Sequence, residues 1–502
     1  MPEENKSYAR ILKSSSIIAG AQGINMLIGM IRVKFVAILI GPIGVGLLAT
    51  YQSLTTMFGT VAGLGLQQSA VRDVAQAVAN DDAIKIARTV KSLRRLCWLT
   101  GGVGALSVIF LSPWLSQITF NNSEQTINIA VLGITLVFAN LKGGQVAIIQ
   151  GMRRIGDLAK LNIIGAVSGT VISVIMYWLY GINGIIPALL LLSLIELIAS
   201  WLFARKIEIE AIEISWKETF TEANSMVRMG LAFMWNGLLV AIIAYLTRII
   251  IAEEIDMIAV GIYTAAFALS GIIVNFILGA MGADYYPSLT AINNDHKAMC
   301  KLVNQQTEIG FLLALPGLLA TIAFAPLLIE IFYSSEFGDA ANLLRYFALG
   351  CIGRVLSWPL GYILLAKGYS RLFAGIETII NLIHIILIVL LLKFIGLKGV
   401  SIAFTILYFI YIMIMLCVSR YIIGHRWSVG VKRIIWVNFP IVLLAMFVST
   451  QLSTGYAIFF GVVTSLVVSI GCFRALLNRL PDTHKVYKYI EKFPNLNWLM
   501  NK

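Results

Sequence analysis

Apolar residues fill this chain in runs of about twenty, broken by short polar or basic segments. A helix needs ~20 apolar residues to cross the ~30 Å hydrocarbon layer of a bilayer. Fourteen stretches have that character: 14–40, 44–71, 95–118, 127–150, 161–180, 183–204, 229–252, 258–283, 307–332, 341–366, 372–392, 399–420, 434–451 and 454–474. Pairs joined by short turns are the least sharply divided, and twelve spans is the alternative count. The pattern predicts an all-α polytopic membrane protein of about fourteen helices. No small-residue cleavage pattern of a signal peptide follows the first run, so the first span is expected to be retained.

Composition agrees. Of 502 residues, 59% are hydrophobic and 13% charged, against roughly 25% charged in soluble domains. The net charge of +13 could suggest a nucleic-acid partner, but its placement argues otherwise. Cations crowd the loops on the side holding the N-terminus, among them Lys6, Arg10 and Lys13, then Lys85, Arg88, Lys91, Arg94 and Arg95, then Arg153, Arg154, Arg205 and Lys206. Opposite loops carry only Lys393 and Lys398, and segment 252–257 (AEEIDM) is acidic. The positive-inside rule makes the basic side cytoplasmic, with both termini there. The charge is topological, and no nucleic-acid partner is expected.

The chain repeats itself. Arg32 precedes Val45-Gly46-Leu47, and Arg248 precedes Val260-Gly261-Ile262. Gln150-Gly151 ends the fourth span and Lys367-Gly368 the tenth; Gly181-Ile-Asn-Gly184 before the sixth matches Gly396-Leu-Lys-Gly399 before the twelfth. All four pairs recur at one nearly constant offset of about 216 residues, the mark of an internal repeat. This predicts two pseudo-symmetric six-helix lobes, 1–204 and 227–420. Between them runs a cytoplasmic linker, 205–226, whose Ile/Glu alternation reads as a solvated tether. A helix pair (421–474) and a basic cytoplasmic tail (475–502) follow. An even number of helices gives both lobes one orientation, the arrangement in which a transport path lies between lobes that rock.

Six cations fall inside spans: Arg32, Lys34, Lys142, Arg248, Arg345 and Arg354. A charge near the bilayer centre costs at least about 2.5–3.5 kcal/mol, so each must face water, pair with an acid or snorkel to an interface. Arg345 opens the tenth span, where snorkelling suffices. Arg354 lies ~20 Å along that span at 1.5 Å per residue, beyond comfortable reach of an interface. Arg248 is close enough to Glu253 and Glu254 for pairing, while its repeat relation to Arg32 favours a cavity. Lys142 has the same two readings. Arg32 and Lys34 stand ~200° apart around a helix, so only one can face a cavity. Acids within spans are few, chiefly Glu196, with Glu308, Glu330 and Asp284 near ends. A net-cationic interior suits an anionic, phosphate-rich ligand.

On the eleventh span, Glu377, Asn381 and His384 share one face at i, i+4 and i+7. They are candidates for proton or ion coupling; the alternative is a polar seam between packed helices. Pro316, Pro326, Pro359 and Pro440 fall within spans, and Pro359 is the candidate hinge. Gly20, Gly23 and Gly29 make the first span bendable. The five cysteines are scattered without CxxC spacing, and Gly-Lys never occurs, so no metal, P-loop nucleotide or other cofactor is expected. No catalytic residue stands out and the loops are short, which points to a transporter rather than an enzyme.

Three stretches, "GPIGVGLLATYQSLTTMFGTVAGLGL" (41–66) after Lys34, "FILGAMGADYYPSLT" (276–290) and "GRVLSWPLGYILLAKGYSRLF" (353–373), resemble the Wzx-type O-antigen and polysaccharide flippases of the MATE-like MOP superfamily. The resemblance extends over about residues 10–420. It implies translocation of an undecaprenyl-diphosphate-linked oligosaccharide from the cytoplasmic to the periplasmic leaflet of a bacterial inner membrane. It further implies that Lys34, Arg248 and Arg354 hold the pyrophosphate and sugar, and that membrane lipids and a polymerase or chain-length complex are partners. Arg32 rests on the repeat alone, and between the two the reading sides with Lys34. The final helix pair departs from twelve-helix Wzx proteins and resembles lipid II flippases. The alternatives are a MATE-like drug antiporter, which would want an acidic cavity, and a membrane glycan polymerase or ligase, which would want a large outer loop.

Overall fold

The computed structural model describes residues 2–452, 454–477 and 479. Of the tail expected over 475–502, Asn478 and residues 480–502 lie outside the described residues. The described elements are helices: α1 (Pro2–Gly63), α2 (Leu66–Ala79), α3 (Ala83–Phe120), α4 (Thr126–Gly151), α5 (Ile155–Tyr180), α6 (Ile185–Ala204), α7 (Trp216–Glu254), α8 (Met257–Ala291), α9 (His296–Ala323), α10 (Ala325–Phe332), α11 (Ala340–Ala366), α12 (Ser370–Ile395), α13 (Lys398–Ile423), α14 (Val429–Gln451) and α15 (Thr454–Leu477). Twelve stretches are long and apolar enough to cross a membrane, and two of these are double. Gln22–Gly63 is broken at Gly41, and Ile155–Ala204 contains a 3-10 turn at Gly181–Gly184. That accounts for the fourteen crossings read from the sequence. Large apolar side chains point outward, Phe110, Trp178, Phe394 and Trp436 among them, as suits a lipid solvent. The chain is an all-α, multi-pass membrane protein.

The helix breaks have local causes. Gly41 takes φ 61°, ψ −171° and is followed by Pro42, whose ring fixes φ and supplies no N–H. The first bend thus falls there and not at Gly20, Gly23 or Gly29, where helix geometry continues. The second expected run, 44–71, ends early: Leu64 (φ 47°) and Gly65 (φ 63°) turn left-handed, and α2 starts anew at Leu66. A Cβ on Gly65 would stand 2.1 Å from the Gly230 carbonyl, so only glycine fits. The run 307–332 is likewise divided, because α9 stops at Ala323 and Pro326 sits in the first turn of α10, where proline is tolerated.

Polar caps hold the helix starts. Asp82 accepts from Lys85 N (2.9 Å), Asp295 from Lys297 N (2.9 Å) and Ala298 N (3.0 Å), and Ser428 from Val431 N (3.1 Å). Ser215 and Glu218 form a reciprocal capping box at α7.

Packing divides the chain into two compact units, Met1–Gly261 with Phe332–Ser334, and Ile262–Ile331 with Ser335–Lys502. In the first, α3 packs on α4, α4 on α6, α5 on α1 and α6, and α7 on α1, α2 and α3. The repeat places 227–252 in the second lobe, whereas packing joins α7 to the first unit; sequence duplication and buried surface are separate properties. The linker is no free tether. Ile207 and Ile214 are buried while Glu208, Glu210 and Glu213 face out. Lys91 donates to Ile212 O, and Arg95 donates to Thr219 Oγ1 (2.8 Å) and lies over the Trp216 ring. The alternation read from the sequence is therefore that of a half-buried strip.

In the second unit α11 packs on α9, α12 and α13, and α14 and α15 pack on α9. Its core gathers Tyr285, Val303, Leu360, Ile363, Ile380, Leu407 and Met415. Glu308 of α9 holds the last helix pair, accepting from Arg479 Nε (2.7 Å) and Ser428 Oγ (3.3 Å). Arg345 corrects a further expectation. It is 7% exposed and does not snorkel; its Nη1 donates to Asn342 Oδ1 (2.8 Å) and its Nε to Ile322 O (3.4 Å). Ile322 O lies in the last turn of α9, where the helix dipole favours a cation.

Candidate functional site

The intramembrane cations resolve into distinct environments. On α1, Arg32 reaches toward α5: its Nη1 lies 3.0 Å from where a Cβ on Gly169 would stand, and its charge is within electrostatic reach of Tyr177. Lys34, two residues on, instead donates its Nζ proton to Tyr333 O. The two side chains thus meet different neighbours, as their ~200° separation requires. Arg248 on α7 folds back one turn, donating from Nη1 to Ala244 O (2.6 Å).

Lys142 pairs. Its Nζ lies 2.8 Å from Glu196 Oε2 on α6, with 33% and 26% of the two side chains exposed. Glu196 in turn borders a cavity of about 520 Å³ within the first unit. Hydroxyls and amides line much of it: Thr56 and Thr60 of α1, Gln67 of α2, Asn140 of α4 and Ser193 of α6. Phe233 and Met234 of α7 form an apolar wall. Arg32, Lys34 and Arg248 are not among its lining residues. With Lys142 balancing Glu196, the cavity offers hydrogen-bonding groups rather than net positive charge.

In the second unit Arg354 occupies the middle of the 27-residue α11. Its neighbours Gly353 and Val355 are buried, while Arg354 itself is partly exposed. Among the described residues its guanidinium makes no salt bridge. Tyr408 of α13 lies within electrostatic reach of both Arg354 and Glu377. Glu377 Oε1 accepts from Tyr411 OH at 2.6 Å, so a tyrosine of α13 closes the carboxylate. Asn381 Nδ2 donates to the Glu377 carbonyl (2.8 Å), and the His384 ring packs on Phe404 at 6.2 Å between centroids. No hydrogen bond among the described residues joins Glu377 to the His384 ring. α11 stays helical through Pro359, whose carbonyl accepts from Tyr285 OH (2.9 Å).

Sequence reasoning did not single out Tyr408, Tyr411, Gln67, Asn140 or Ser193. Polar residues on amphipathic or mixed helices carry no pattern of their own; Tyr408 and Tyr411 at i, i+3 were the one available signal.

The described residues form a polytopic helical bundle that carries several cations within its membrane-spanning helices. Two kinds of solved structure share that fold. One is an inward-facing multidrug-resistance MATE family transporter of the MOP superfamily, at TM-score 0.68 and 15% identity, covering 82% of this chain and 96% of that one. The other is the lipid II flippase MurJ in an inward closed conformation, at TM-score 0.63 and 14% identity, covering 92% of this chain and 99% of that one. Residues 35–342 match the family described as "Polysaccharide biosynthesis protein", and the chain belongs to that family. Proteins named lipid III flippase from Escherichia coli (strain K12) and Shigella flexneri are each 21% identical over 378 residues, covering 73% of this chain and 88% of theirs.

Proposed function

We propose that this protein flips an undecaprenyl-diphosphate-linked oligosaccharide, an O-antigen or related polysaccharide repeat unit, from the cytoplasmic to the periplasmic leaflet of a bacterial inner membrane. Both termini are cytoplasmic, and transport proceeds by alternating access. Membership in the polysaccharide biosynthesis family and relatives named lipid III flippase support the substrate class. The observation that carries the reading is Arg354, a cation at the centre of a membrane helix with no carboxylate partner among the described residues. Left without a counter-ion, such a charge is stable only beside water and an anionic ligand.

In this reading Lys34, with Arg32 as the alternative, and Arg248 and Arg354 serve the diphosphate, and Lys142 is neutralised by Glu196. Glu377, with Asn381 and His384, couples an ion or proton, and Pro359 is the hinge. A polysaccharide polymerase or chain-length complex receives the product. The test is depletion in a host that displays a surface glycan. Lipid-linked repeat units should accumulate and surface glycan should disappear, both reversed by re-expression. Normal surface glycan in depleted cells would overturn the proposal.

A further inference from the structure

We infer that one face of α11 is a two-part track for this ligand: Arg354 grips phosphate, and Trp358 and Tyr362, extended by Tyr286 of α8, form a platform for the sugar rings. The inference rests on the flippase reading and adds the residues that would distinguish a glycan-bearing lipid from a bare one.

From Phe347 to Leu364 every residue of α11 is buried except Arg354, Trp358 and Tyr362. Their spacing, i, i+4 and i+8, sets them in one row about 12 Å long at 1.5 Å per residue. A guanidinium in mid-membrane without a salt bridge must meet water. The same row therefore opens on the same aqueous space. An interfacial aromatic belt would sit at headgroup depth and would not begin beside a cation at the helix centre.

The rings are held in place. Trp358 and Tyr362 meet edge to face at 4.8 Å between centroids, and Tyr362 lies 5.7 Å from Tyr286. Beneath them Tyr285 is fully buried, 5.5 Å from Trp358, and anchored through its hydroxyl to Pro359 O. A Cβ on Gly282 would stand 3.2 Å from the Trp358 ring, so the glycine lets the indole lie close against α8.

The polar tips are unspent. Among the described residues the Trp358 indole N–H and the hydroxyls of Tyr362 and Tyr286 make no hydrogen bond to protein, and none is a buried unsatisfied atom. Aromatic faces with polar ends suit a sugar, whose C–H face is apolar and whose rim is hydroxyl. Arginine beside them suits the diphosphate.

The test uses the full chain in detergent and two probes: undecaprenyl diphosphate alone, and the same lipid bearing an oligosaccharide repeat. Wild type should bind the glycan-bearing lipid more tightly. Trp358→Ala and Tyr362→Ala should each weaken that probe tenfold or more and leave the bare lipid unchanged, whereas Trp358→Phe keeps most of the preference. Arg354→Gln should weaken both probes alike. If Trp358→Ala does not fold, Tyr362→Ala and Tyr362→Phe, which removes only a hydroxyl, carry the same comparison. Equal weakening of both probes by the aromatic variants, or no weakening, overturns the track alone. Failure of wild type to bind bare undecaprenyl diphosphate overturns the flippase reading and the track with it.

Discussion

Gly46 and Gly261, equivalent positions of the internal repeat, face each other across a close backbone approach. A Cβ on Gly46 would lie 2.3 Å from Met257 O and 3.0 Å from Gly261 N, and one on Gly261 would lie 2.0 Å from Pro42 O. The segment after the Gly41 bend therefore meets the start of α8 through the one motif that the two halves of the sequence share most plainly. Backbone cannot retreat from a methyl group as a side-chain tip can.

Gly261→Ala should accordingly cost more than the 1–3 kcal/mol typical of overpacking, roughly 3 kcal/mol or above. Gly279→Ala, with nothing within 4 Å of its Cβ, is the control. Thermal unfolding in detergent distinguishes them: a large fall in Tm for the first and little change for the second.

The Lys142–Glu196 pair predicts strong coupling. Removing either charge leaves the other, within a membrane-spanning helix, without the partner that stands 2.8 Å away. Because both side chains are partly exposed, about 1–3 kcal/mol is expected for Lys142→Met or Glu196→Gln alone. The double variant should recover much of that loss, and a double-mutant cycle that is simply additive would show the pair to be incidental.

His425, between α13 and α14, predicts a pH dependence. It is 1% exposed, and both ring nitrogens lack hydrogen-bond partners among the described residues. Burial lowers its pKa from 6.5 to about 4. Between those values the unfolded chain binds a proton that the folded chain excludes. Stability from this residue is thus present above pH 6.5 and lost as pH falls toward 4, by roughly 3 kcal/mol in all. His425→Leu should flatten that part of the Tm-versus-pH curve; an unchanged slope would assign the dependence elsewhere.

Glu308 predicts how the last helix pair is held. Glu308→Gln removes the carboxylate that receives Arg479 and Ser428. Limited proteolysis should then cut the 424–428 connection faster than in wild type, at similar protein yield. Equal cutting rates would mean that apolar packing of α14 and α15 on α9 suffices.

Much of this was legible in the sequence because lipid leaves few choices: apolar runs must be helices, so their number and order could be read directly. The Arg32/Lys34 divergence followed from 100° per residue alone. What escaped depended on neighbours distant in the chain. Nothing local announces that Arg345 caps α9, that Glu196 neutralises Lys142, or that Tyr411 closes Glu377. The linker was misjudged because Ile/Glu alternation describes a half-buried strip as well as a tether, and only the docking of Ile207 and Ile214 separates them. Trp358 and Tyr362 stood in a quoted motif, but their shared exposure was visible only against an otherwise buried helix.

The central claim is that a mid-membrane cation serves a diphosphate-linked glycan, and flipping in reconstituted vesicles tests it most directly. Vesicles carrying undecaprenyl-diphosphate-linked oligosaccharide on one leaflet report its arrival on the other through accessibility to an added glycosidase. Wild type should equilibrate the glycan. Arg354→Gln should slow it at least tenfold with unchanged incorporation and Tm, and Arg354→Lys, which keeps the charge, should retain part of the rate. Wild-type flipping by Arg354→Gln would contradict the account.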